Sequence, residues 1–443
     1  MHKLAATLAT FAAILTAASA HAAPVLMISI DGLRPGDVLE ADRRGIKVPA
    51  LSALVAGGAA ASGVRNVLPT VTYPNHTTMI TGVLPARHGI SSNTTFDPLQ
   101  RNLGGWYWYT ADIKVPTLWD AVHEAGGVVA SFGWPVSVGA RSIDANVPEV
   151  WRARTPEDLK LLKALSTPGL PEALEAPGRP LFAEAFSEQV EGDVARAALT
   201  ARLIALKHPR FTTLHLVALD HFEHGFGPGS PKAVATLEAI DTAVRRLVAD
   251  AREVEPDLVV AVVSDHGFAP VATDVNLNAA LVEAGLITIG LDGKPAAWEA
   301  SAWNAGGSAA IVLARPGDAA LQEKVATLLA RLAADPANGI AAVADKAEVE
   351  RRGAASEASF FVGFRPGFAG GSALKGSLLS PSSQKGTHGY FPDLPEMRST
   401  LILNGPGVPR GKALGEVDMR DIAPTLAAIL GVKLPTAEGK ALF

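Results

Sequence analysis

The amino-acid sequence predicts an α/β fold, with a mostly parallel central sheet and helices on both faces of that sheet. Three apolar runs of strand length, PVLMISI, FTTLHLVAL and DLVVAVVS, end directly before Asp31, Asp220 and Asp265. Stretches with helical periodicity lie between these runs, and strands that alternate with helices are typical of parallel sheets. Because ligands bind at the carboxyl ends of parallel strands, we expect the three aspartates to lie together at a binding site.

Five segments carry the apolar periodicity of helices. They are 115–127, 188–208, 230–253, 321–335 and 419–431. The region from about 292 to 385 is less regular and ends in the Gly/Ser-rich stretch RPGFAGGSALKGSLLSPSSQKG, which predicts a small α+β insertion. The following run, STLILNGPG, is expected to return to the main sheet.

The first 22 residues have the pattern of a secretory signal peptide. Lys3 precedes an apolar run rich in alanine, and small residues offer cleavage sites that end at Ala20 or Ala22. We predict a signal peptide over 1–22 and a single domain over 23–443 that contains the insertion. No later run reaches the roughly 18 apolar residues that a membrane-spanning helix needs, so we expect an exported chain with no membrane span after cleavage.

The amino-acid composition indicates where the protein is located and which partners it does not bind. The chain contains no cysteine, which excludes disulfides and thiolate nucleophiles. An exported protein of 443 residues without disulfides suits a bacterial periplasm, since a core of this size can stabilise the fold alone. The formal net charge of −5 argues against a nucleic-acid-binding surface. A phosphate-handling enzyme of this charge needs metal ions or a local positive site to attract its substrate.

Asp220 and His224 stand four residues apart in the stretch LDHFEHGFGPG. One helical turn or a tight loop would direct both side chains at a common point, where a carboxylate and an imidazole suit a metal ion. The alternative is that Asp220 caps a helix and that His224 is exposed to solvent. Between them, His221 and Glu223 are expected at the surface, and the alternative for either is a hydrogen bond to a metal ligand.

Two further motifs place histidines beside glycines. Asp265 and His266 are adjacent in SDHGF, and Gly267 allows the bend that would bring both side chains to one ion. A simple turn would also account for this pair. His388 lies in the loop sequence QKGTHGYF, between two glycines.

Together with Asp31, these motifs supply three carboxylates and three imidazoles. Six such ligands are more than one tetrahedral zinc ion needs and are enough for two. Mixed nitrogen and oxygen ligands favour zinc over magnesium. Two ions about 4 Å apart suit the attacking and leaving oxygens of an in-line phosphoryl displacement, so we predict two divalent cations, with zinc favoured.

The stretch LPTVTYPNHTTMITG offers a nucleophile for such a site. Thr72 stands two residues before Pro74, and proline is favoured in the first turn of a helix. The N-terminus of that helix would favour an alkoxide and bind a phosphate, and a zinc ion would activate the hydroxyl. The alternative is that Thr72 only caps the helix. The three later threonines are expected to pack or to bond to the backbone inside it.

The stretch TYPNHTTMITGVLPARHGISSN resembles the signature of nucleotide pyrophosphatases/phosphodiesterases of the alkaline phosphatase superfamily, which reads approximately T-F-P-N-H, then T-G, P, H-G-I and N. The other motifs follow in the family's order, from Asp31 to G-T-H-G around His388. The resemblance spans essentially the mature chain. It implies an alkaline-phosphatase-like fold and a metal-dependent hydrolase of phosphodiester or pyrophosphate bonds, with a small-molecule phosphodiester or nucleotide as substrate.

The resemblance also implies a role for each motif residue. Thr72 would be the nucleophile and would form a covalent phospho-threonine intermediate. The implied ligands are Thr72, Asp31, Asp265 and His266 for one zinc, and Asp220, His224 and His388 for the other. Asn93 would bind a non-bridging phosphate oxygen together with the Thr72 backbone amide. Tyr73, where the family usually has phenylalanine, would stack on a base or cover the leaving group.

Some positions depart from the family pattern. Glu223 replaces a glycine in the second metal motif, and His215 stands where the family often carries an aromatic residue. The run GGWYWYT would either line a substrate pocket or form a packed hairpin.

Two other activities remain open with the same metal set, a phosphomonoesterase and a phosphonate hydrolase. A monoesterase needs extra cationic groups for the second phosphate charge, and the segment VSVGARSID offers only Arg141, which favours diesters. A metal-dependent binding protein with a decayed site would lack a ligand or the nucleophile, and none is missing. The sequence disfavours a sulfatase, whose oxidised nucleophile is made from Cys or from Ser in a particular motif, since neither is present.

Overall fold

A computed structural model describes residues 22–102, 104–150, 155–175 and 181–443. The predicted signal peptide therefore lies outside the described residues, except for Ala22. The strands are, in chain order, β1 Val25–Ile30, β2 Ala59–Ala60, β3 Gly63–Arg65, β4 Val129–Phe132, β5 Ala145–Val147, β6 Phe211–Leu216, β7 Val259–Val263, β8 Ala269–Val275, β9 Ile287–Ile289, β10 Pro295–Trp298, β11 Ala300–Asn304, β12 Ser308–Leu313, β13 Ile340–Ala344, β14 Ala358–Phe364, β15 Gly367–Gly370, β16 Leu379–Pro381, β17 Gly386–Thr387, β18 Leu401–Asn404, β19 Lys412–Ala413 and β20 Glu416–Asp418.

The same ranges contain helices of four to 24 residues. The α-helices are α1 Pro35–Leu39, α2 Ala41–Arg44, α3 Pro49–Ala56, α4 Thr72–Thr81, α5 Pro85–His88, α6 Leu118–Glu124, α7 Pro156–Leu165, α8 Leu170–Leu174, α9 Val190–Lys207, α10 Ala218–Phe226, α11 Pro231–Val254, α12 Leu277–Glu283, α13 Ala319–Ala334, α14 Lys346–Arg351 and α15 Ile422–Leu430. Short 3₁₀ helices cover Thr110–Asp112, Glu184–Phe186, Pro336–Asn338, Pro395–Met397 and Met419–Asp421.

An eight-stranded sheet forms the centre of the fold, in the order β19-β2-β18-β7-β1-β6-β4-β5. The five strands from β7 to β5 run parallel to one another. Strand β18, which the run STLILNGPG provides, is antiparallel to both of its neighbours. The predicted mostly parallel sheet is confirmed, and the chain returns to it where the sequence predicts.

Helices cover both faces of this sheet, as predicted. Leu26, Ile28 and Ile30 of β1 belong to a hydrophobic core that also contains side chains of α9 and α11. Val25 and Met27, on the opposite face of β1, belong to a core shared with α4, α6 and α15. A strand that is buried on both faces is apolar at most positions, which is why these strands appear in the sequence as nearly continuous apolar runs.

A separate four-stranded antiparallel sheet, β11-β12-β14-β13, lies within residues 300–364. It shares a hydrophobic core with α12 and α13. The structure thus has α+β elements in the region that the sequence predicts as an insertion. The division of the chain into one domain with an inserted subdomain stays a prediction.

None of the helices among the described residues combines the length and the apolar character that crossing a membrane requires.

A buried aspartate ties α9 to the beginning of α10. The carboxylate of Asp193 accepts hydrogen bonds from the backbone amides of Val217 and Ala218 at 3.0 and 2.9 Å. Arg196 donates to the same carboxylate at 2.6 Å, and both side chains are buried. The first backbone amides of a helix have no partner within the helix. Asp193 therefore supplies that partner and fixes the position at which α10 starts.

We predict that Asp193→Ala lowers the free energy of unfolding by about 3 kcal/mol, because it leaves the buried Arg196 guanidinium and two amides without their partner. Urea denaturation followed by circular dichroism would measure the change. Glu191→Ala, an exposed position on the same helix, is the control and should change the stability by less than about 0.5 kcal/mol. Equal effects of the two substitutions would show that Asp193 does not anchor α10.

Candidate metal centre and active site

The carboxyl edge of the central sheet brings the six predicted metal ligands together. Asp31 follows β1, and Asp265 and His266 follow the neighbouring strand β7. Nε2 of His266 lies 3.3 Å from Oδ1 of Asp31 and 3.2 Å from Oδ2 of Asp265. These three side chains form one group whose geometry could hold a metal ion.

A second group contains Asp220, His388 and again His266. Asp220 does not lie at a strand end, as the sequence pattern suggested, because β6 ends at Leu216 and Asp220 belongs to α10. The helix places His224 one turn later, and its Nε2 lies 3.4 Å from Oδ1 of Asp220. Nε2 of His388 lies 3.5 Å from the same oxygen. The helical turn thus directs Asp220 and His224 at a common point, which is one of the two arrangements expected.

Each of the three histidines turns its Nδ1 towards a backbone carbonyl. The partners are Gly386 for His224 at 3.0 Å, Gly267 for His266 at 3.3 Å and Thr70 for His388 at 3.2 Å. A carbonyl oxygen only accepts, so the proton lies on Nδ1 and Nε2 is left with a free lone pair. That is the tautomer in which a histidine binds a metal ion through Nε2.

The carboxylates fit a metal ion for a second reason. Oδ1 of Asp31, Oδ1 of Asp220 and Oδ2 of Asp265 are buried and have no hydrogen-bond partner among the described residues. Burial and the neighbouring carboxylates raise the pKa of Asp31 well above its ordinary value and that of Asp265 to about 7. Burial also raises the pKa of Asp220. Buried carboxylate oxygens of this kind are normally compensated by a cation.

Thr72 is the first residue of α4 and lies beside the ligands. Its Oγ1 is 3.5 Å from Nε2 of His266, and the residue is 7% exposed. The position before the helix is occupied by Val71, and no side chain caps this helix. Capping by Thr72 is therefore wrong as an explanation. Thr77 and Thr81 donate to backbone carbonyls four residues earlier, as expected.

Asn93 and Tyr73, the other two predicted site residues, are hydrogen-bonded to each other. Oδ1 of Asn93 accepts a hydrogen bond from the backbone amide of Tyr73 at 2.8 Å. The Tyr73 ring is completely buried and lies edge-on to Trp106, 5.3 Å between centroids. The aromatic run that contains Trp106 packs against Tyr73 and Val136. A stacking role of Tyr73 towards a substrate would need this packing to open, and that role stays a prediction.

A buried ion network beside the second group was not predicted from the sequence. Glu223 was expected at the surface, and this is wrong, since it is 1% exposed. Its Oε1 lies 3.5 Å from Nη2 of Arg34, and Nε of the same guanidinium donates to Oδ2 of Asp37 at 2.8 Å. Burial raises the pKa of Glu223 well above its ordinary value, and Arg34 partly offsets that rise. The one sequence feature that indicates this network is Glu223 itself, a glutamate at a position where the family motif has glycine.

Comparison with known proteins identifies the family. The model of the type I phosphodiesterase / nucleotide pyrophosphatase family matches residues 25–361. The chain belongs to this family. Human ectonucleotide pyrophosphatase/phosphodiesterase family member 1 is 25% identical over 256 residues, which are 55% of this chain and 23% of that protein. The venom phosphodiesterase of Macrovipera lebetinus is 24% identical over 237 residues, which are 51% of this chain and 23% of that protein.

Solved structures of family members share the fold. Human ectonucleotide pyrophosphatase/phosphodiesterase 5 superposes with a TM-score of 0.65 at 18% identity, covering 94% of this chain and 97% of that one. The murine protein, solved as an inactive variant in complex with AMP, gives the same TM-score at 17% identity. The predicted alkaline-phosphatase-like α/β fold is thereby confirmed. The chain spans about a quarter of the length of the first curated relatives that it matches.

We predict that the metal-depleted protein loses thermal stability as the pH rises from about 7 to about 8.5. In this window histidines, with an ordinary pKa of about 6.5, are already largely neutral in the unfolded chain and stay neutral in the fold, where burial lowers the pKa of His266 and His388. The buried carboxyls of Asp31 and Asp265, whose pKa values are raised, hold protons that the unfolded chain has already lost. The folded state binds more protons, so its stability falls as the pH rises.

Differential scanning calorimetry with a chelator should show this fall in Tm, and an excess of zinc should reduce it because cations replace the protons. Asp265→Asn should lose part of the pH dependence, whereas Asp257→Asn, at an exposed position before β7, should keep all of it. A Tm that is constant or rises over this range without metal would contradict the prediction.

Proposed function

We propose that this protein hydrolyses phosphodiester or pyrophosphate bonds, with Thr72 as the nucleophile and two divalent cations, zinc favoured, as cofactors. The observation that carries the proposal is the position of the Thr72 hydroxyl, at the N-terminus of α4 and 3.5 Å from His266, which both candidate metal groups share. A hydroxyl capable of attack and two sets of metal ligands thus meet at one point. Membership of the family supports the same reaction class.

Seven side chains would hold the two ions. They are Asp31, Thr72, Asp265 and His266 for one ion, and Asp220, His224 and His388 for the other. When bound, such ions act as Lewis acids that lower the pKa of a hydroxyl or a water and stabilise charge on the attacking and leaving oxygens. The buried carboxylate oxygens without partners and the three Nε2 lone pairs support this assignment.

The protein's own groups orient the reaction. Thr72 attacks phosphorus through Oγ1 while the bond from phosphorus to the leaving oxygen breaks, and the hydroxyl proton leaves with the expelled alcohol or nucleotide. The phospho-threonine is then cleaved by water, whose OH goes to the released phosphate product and whose proton returns to Oγ1. Thr72 is the first residue of α4, and the N-terminus of a helix favours the negative charge of a phosphate. Asn93, which accepts a hydrogen bond from the Tyr73 amide, would bind a non-bridging phosphate oxygen together with the Thr72 backbone amide.

The substrate proposed is a small phosphodiester or a nucleotide. The names of the relatives and the AMP complex of the murine protein support a nucleotide. A monoesterase would need a cationic group for the second charge of its phosphate. The segment VSVGARSID offers only Arg141 for this purpose, and Arg141 is exposed at the surface. We further propose export to a bacterial periplasm, on the strength of the signal-like N-terminus and the absence of cysteine.

The test compares turnover of bis-p-nitrophenyl phosphate, p-nitrophenyl phosphate and the p-nitrophenyl ester of thymidine monophosphate by the zinc-loaded protein. We expect both diesters to be preferred over the monoester. Thr72→Ala should lower kcat by at least about a thousandfold. Thr77→Val, which removes a buried hydroxyl from the same helix, is the control and should keep most of the activity.

Each unexpected outcome has a defined meaning. Preference for the monoester would overturn the diesterase proposal in favour of a phosphomonoesterase. Turnover of a phosphonate monoester above that of both diesters would favour a phosphonate hydrolase. Activity that survives in Thr72→Ala with intact metal content would exclude Thr72 as the nucleophile.

A further inference from the structure

One buried histidine beside the candidate metal centre has no part in the chemistry described so far. His215 lies on β6, directly opposite Ser29 on β1, and is completely buried. Its Nε2 is 3.3 Å from Oδ2 of Asp31 and 3.7 Å from Oε2 of Glu149. Neither ring nitrogen of His215 has a hydrogen-bond partner among the described residues. A buried polar group without a partner is costly, so this imidazole edge points at Asp31 for a reason other than packing.

The contacts continue from His215 to the nucleophile. Glu149 is 8% exposed, and its Oε1 accepts a hydrogen bond from the Tyr73 hydroxyl at 3.0 Å. Tyr73 follows Thr72 directly in the chain. A buried series of polar contacts therefore runs from Asp31 through His215 and Glu149 to the residue beside the nucleophile.

The chemistry of these groups fixes the direction of the contacts. The two atoms that face Nε2 of His215 are carboxylate oxygens, and an ionised carboxylate only accepts hydrogen bonds. The proton of a neutral imidazole must then lie on Nε2. Asp31 turns its other oxygen, Oδ1, towards His266 and the first candidate metal group. One oxygen of Asp31 thus faces the metal group while the other faces a donor.

We propose that His215 is a positioning residue, whose Nε2–H would hold Oδ2 of Asp31 so that Oδ1 would stay directed at a metal ion, while Glu149 faces the same nitrogen from 3.7 Å. The inference rests on the proposed function in so far as Asp31 is taken as a metal ligand. Groups that hydrogen-bond to metal ligands in this way contribute about 10- to 100-fold to metal affinity.

The test measures zinc affinity by competition with a chromophoric chelator. His215→Phe keeps an aromatic ring of similar size and removes both nitrogens, and we expect it to weaken zinc binding about tenfold. It should lower kcat more than it changes KM, since Asp31 lies at the reacting centre and substrate contacts remain. His215→Gln places an amide N–H near the position of Nε2 and should restore at least part of the zinc affinity.

His88→Gln is the matched control. His88 is equally buried and is hydrogen-bonded to Thr78 and Ile90, away from the carboxylates. Its substitution should lower the Tm without changing zinc affinity. Zinc affinity at the wild-type level in His215→Phe would overturn the proposal, and so would equal losses of zinc affinity in the His215 variants and in His88→Gln.

If His215→Phe does not fold, Glu149→Gln tests the same contacts with an isosteric change and should weaken zinc binding by a smaller factor. Unchanged affinity in that variant would overturn the proposal. The titration needs no turnover. A wild-type protein that binds zinc through Asp31 but cleaves no ester would therefore contradict the proposed function and leave the role of His215 standing.

Discussion

The carboxyl edge of the central sheet carries three aspartates, two of them buried, whose negative charge the protein does not balance by itself. Among the described residues, the only basic side chains close to Asp31, Asp220 and Asp265 are histidines. Burial lowers the pKa of His266 and His388 well below the ordinary value, so these rings are neutral at physiological pH. Carboxylates buried together without counter-ions cost several kcal/mol each, and protons or cations are needed for the fold to tolerate them.

Backbone carbonyls, rather than other side chains, orient the imidazole rings of His224, His266 and His388. Each of the three Nδ1 atoms faces a main-chain carbonyl, and those carbonyls belong to Thr70, Gly267 and Gly386. A main-chain carbonyl cannot be rotated away as a side chain can, and the carbonyl of Gly386 is further held within β17. The histidines are therefore pre-oriented before any ion binds, which reduces the ordering that binding would otherwise require.

Strand ends and helical spacing made much of this site predictable from the sequence. An apolar run followed by Asp31 or by Asp265 locates a carboxylate at the edge of a parallel sheet, and the four-residue spacing of Asp220 and His224 fits one helical turn. These are local signals. The burial of Glu223 and the contact of His215 with Glu149 are not local, since they depend on partners 189 and 66 positions away, which periodicity does not identify.

The region predicted as an insertion contributes none of the proposed ligands, yet it holds one of them in place. The backbone amide of Gly307, in the turn between β11 and β12, donates to the carbonyl of His388 at 2.7 Å. Gly389 donates in turn to the carbonyl of Thr70 at 2.9 Å. A side chain at Gly389 would meet the carbonyl oxygen of Ala305 at 1.7 Å, and its φ of +86° favours glycine.

The loop that carries His388 is thus pressed between the antiparallel sheet and the segment that leads into α4. Any displacement of that sheet would move His388 relative to Asp220 and would also disturb Thr70, two residues before the proposed nucleophile. Two residues of the sequence Gly-Thr-His-Gly therefore have separate roles at this position. The histidine supplies a nitrogen, and the glycine after it allows the main chain to approach the antiparallel sheet closely enough to be held. The second candidate metal group and the segment that leads into α4 therefore depend on the same contact, although the residues involved come from three distant parts of the chain.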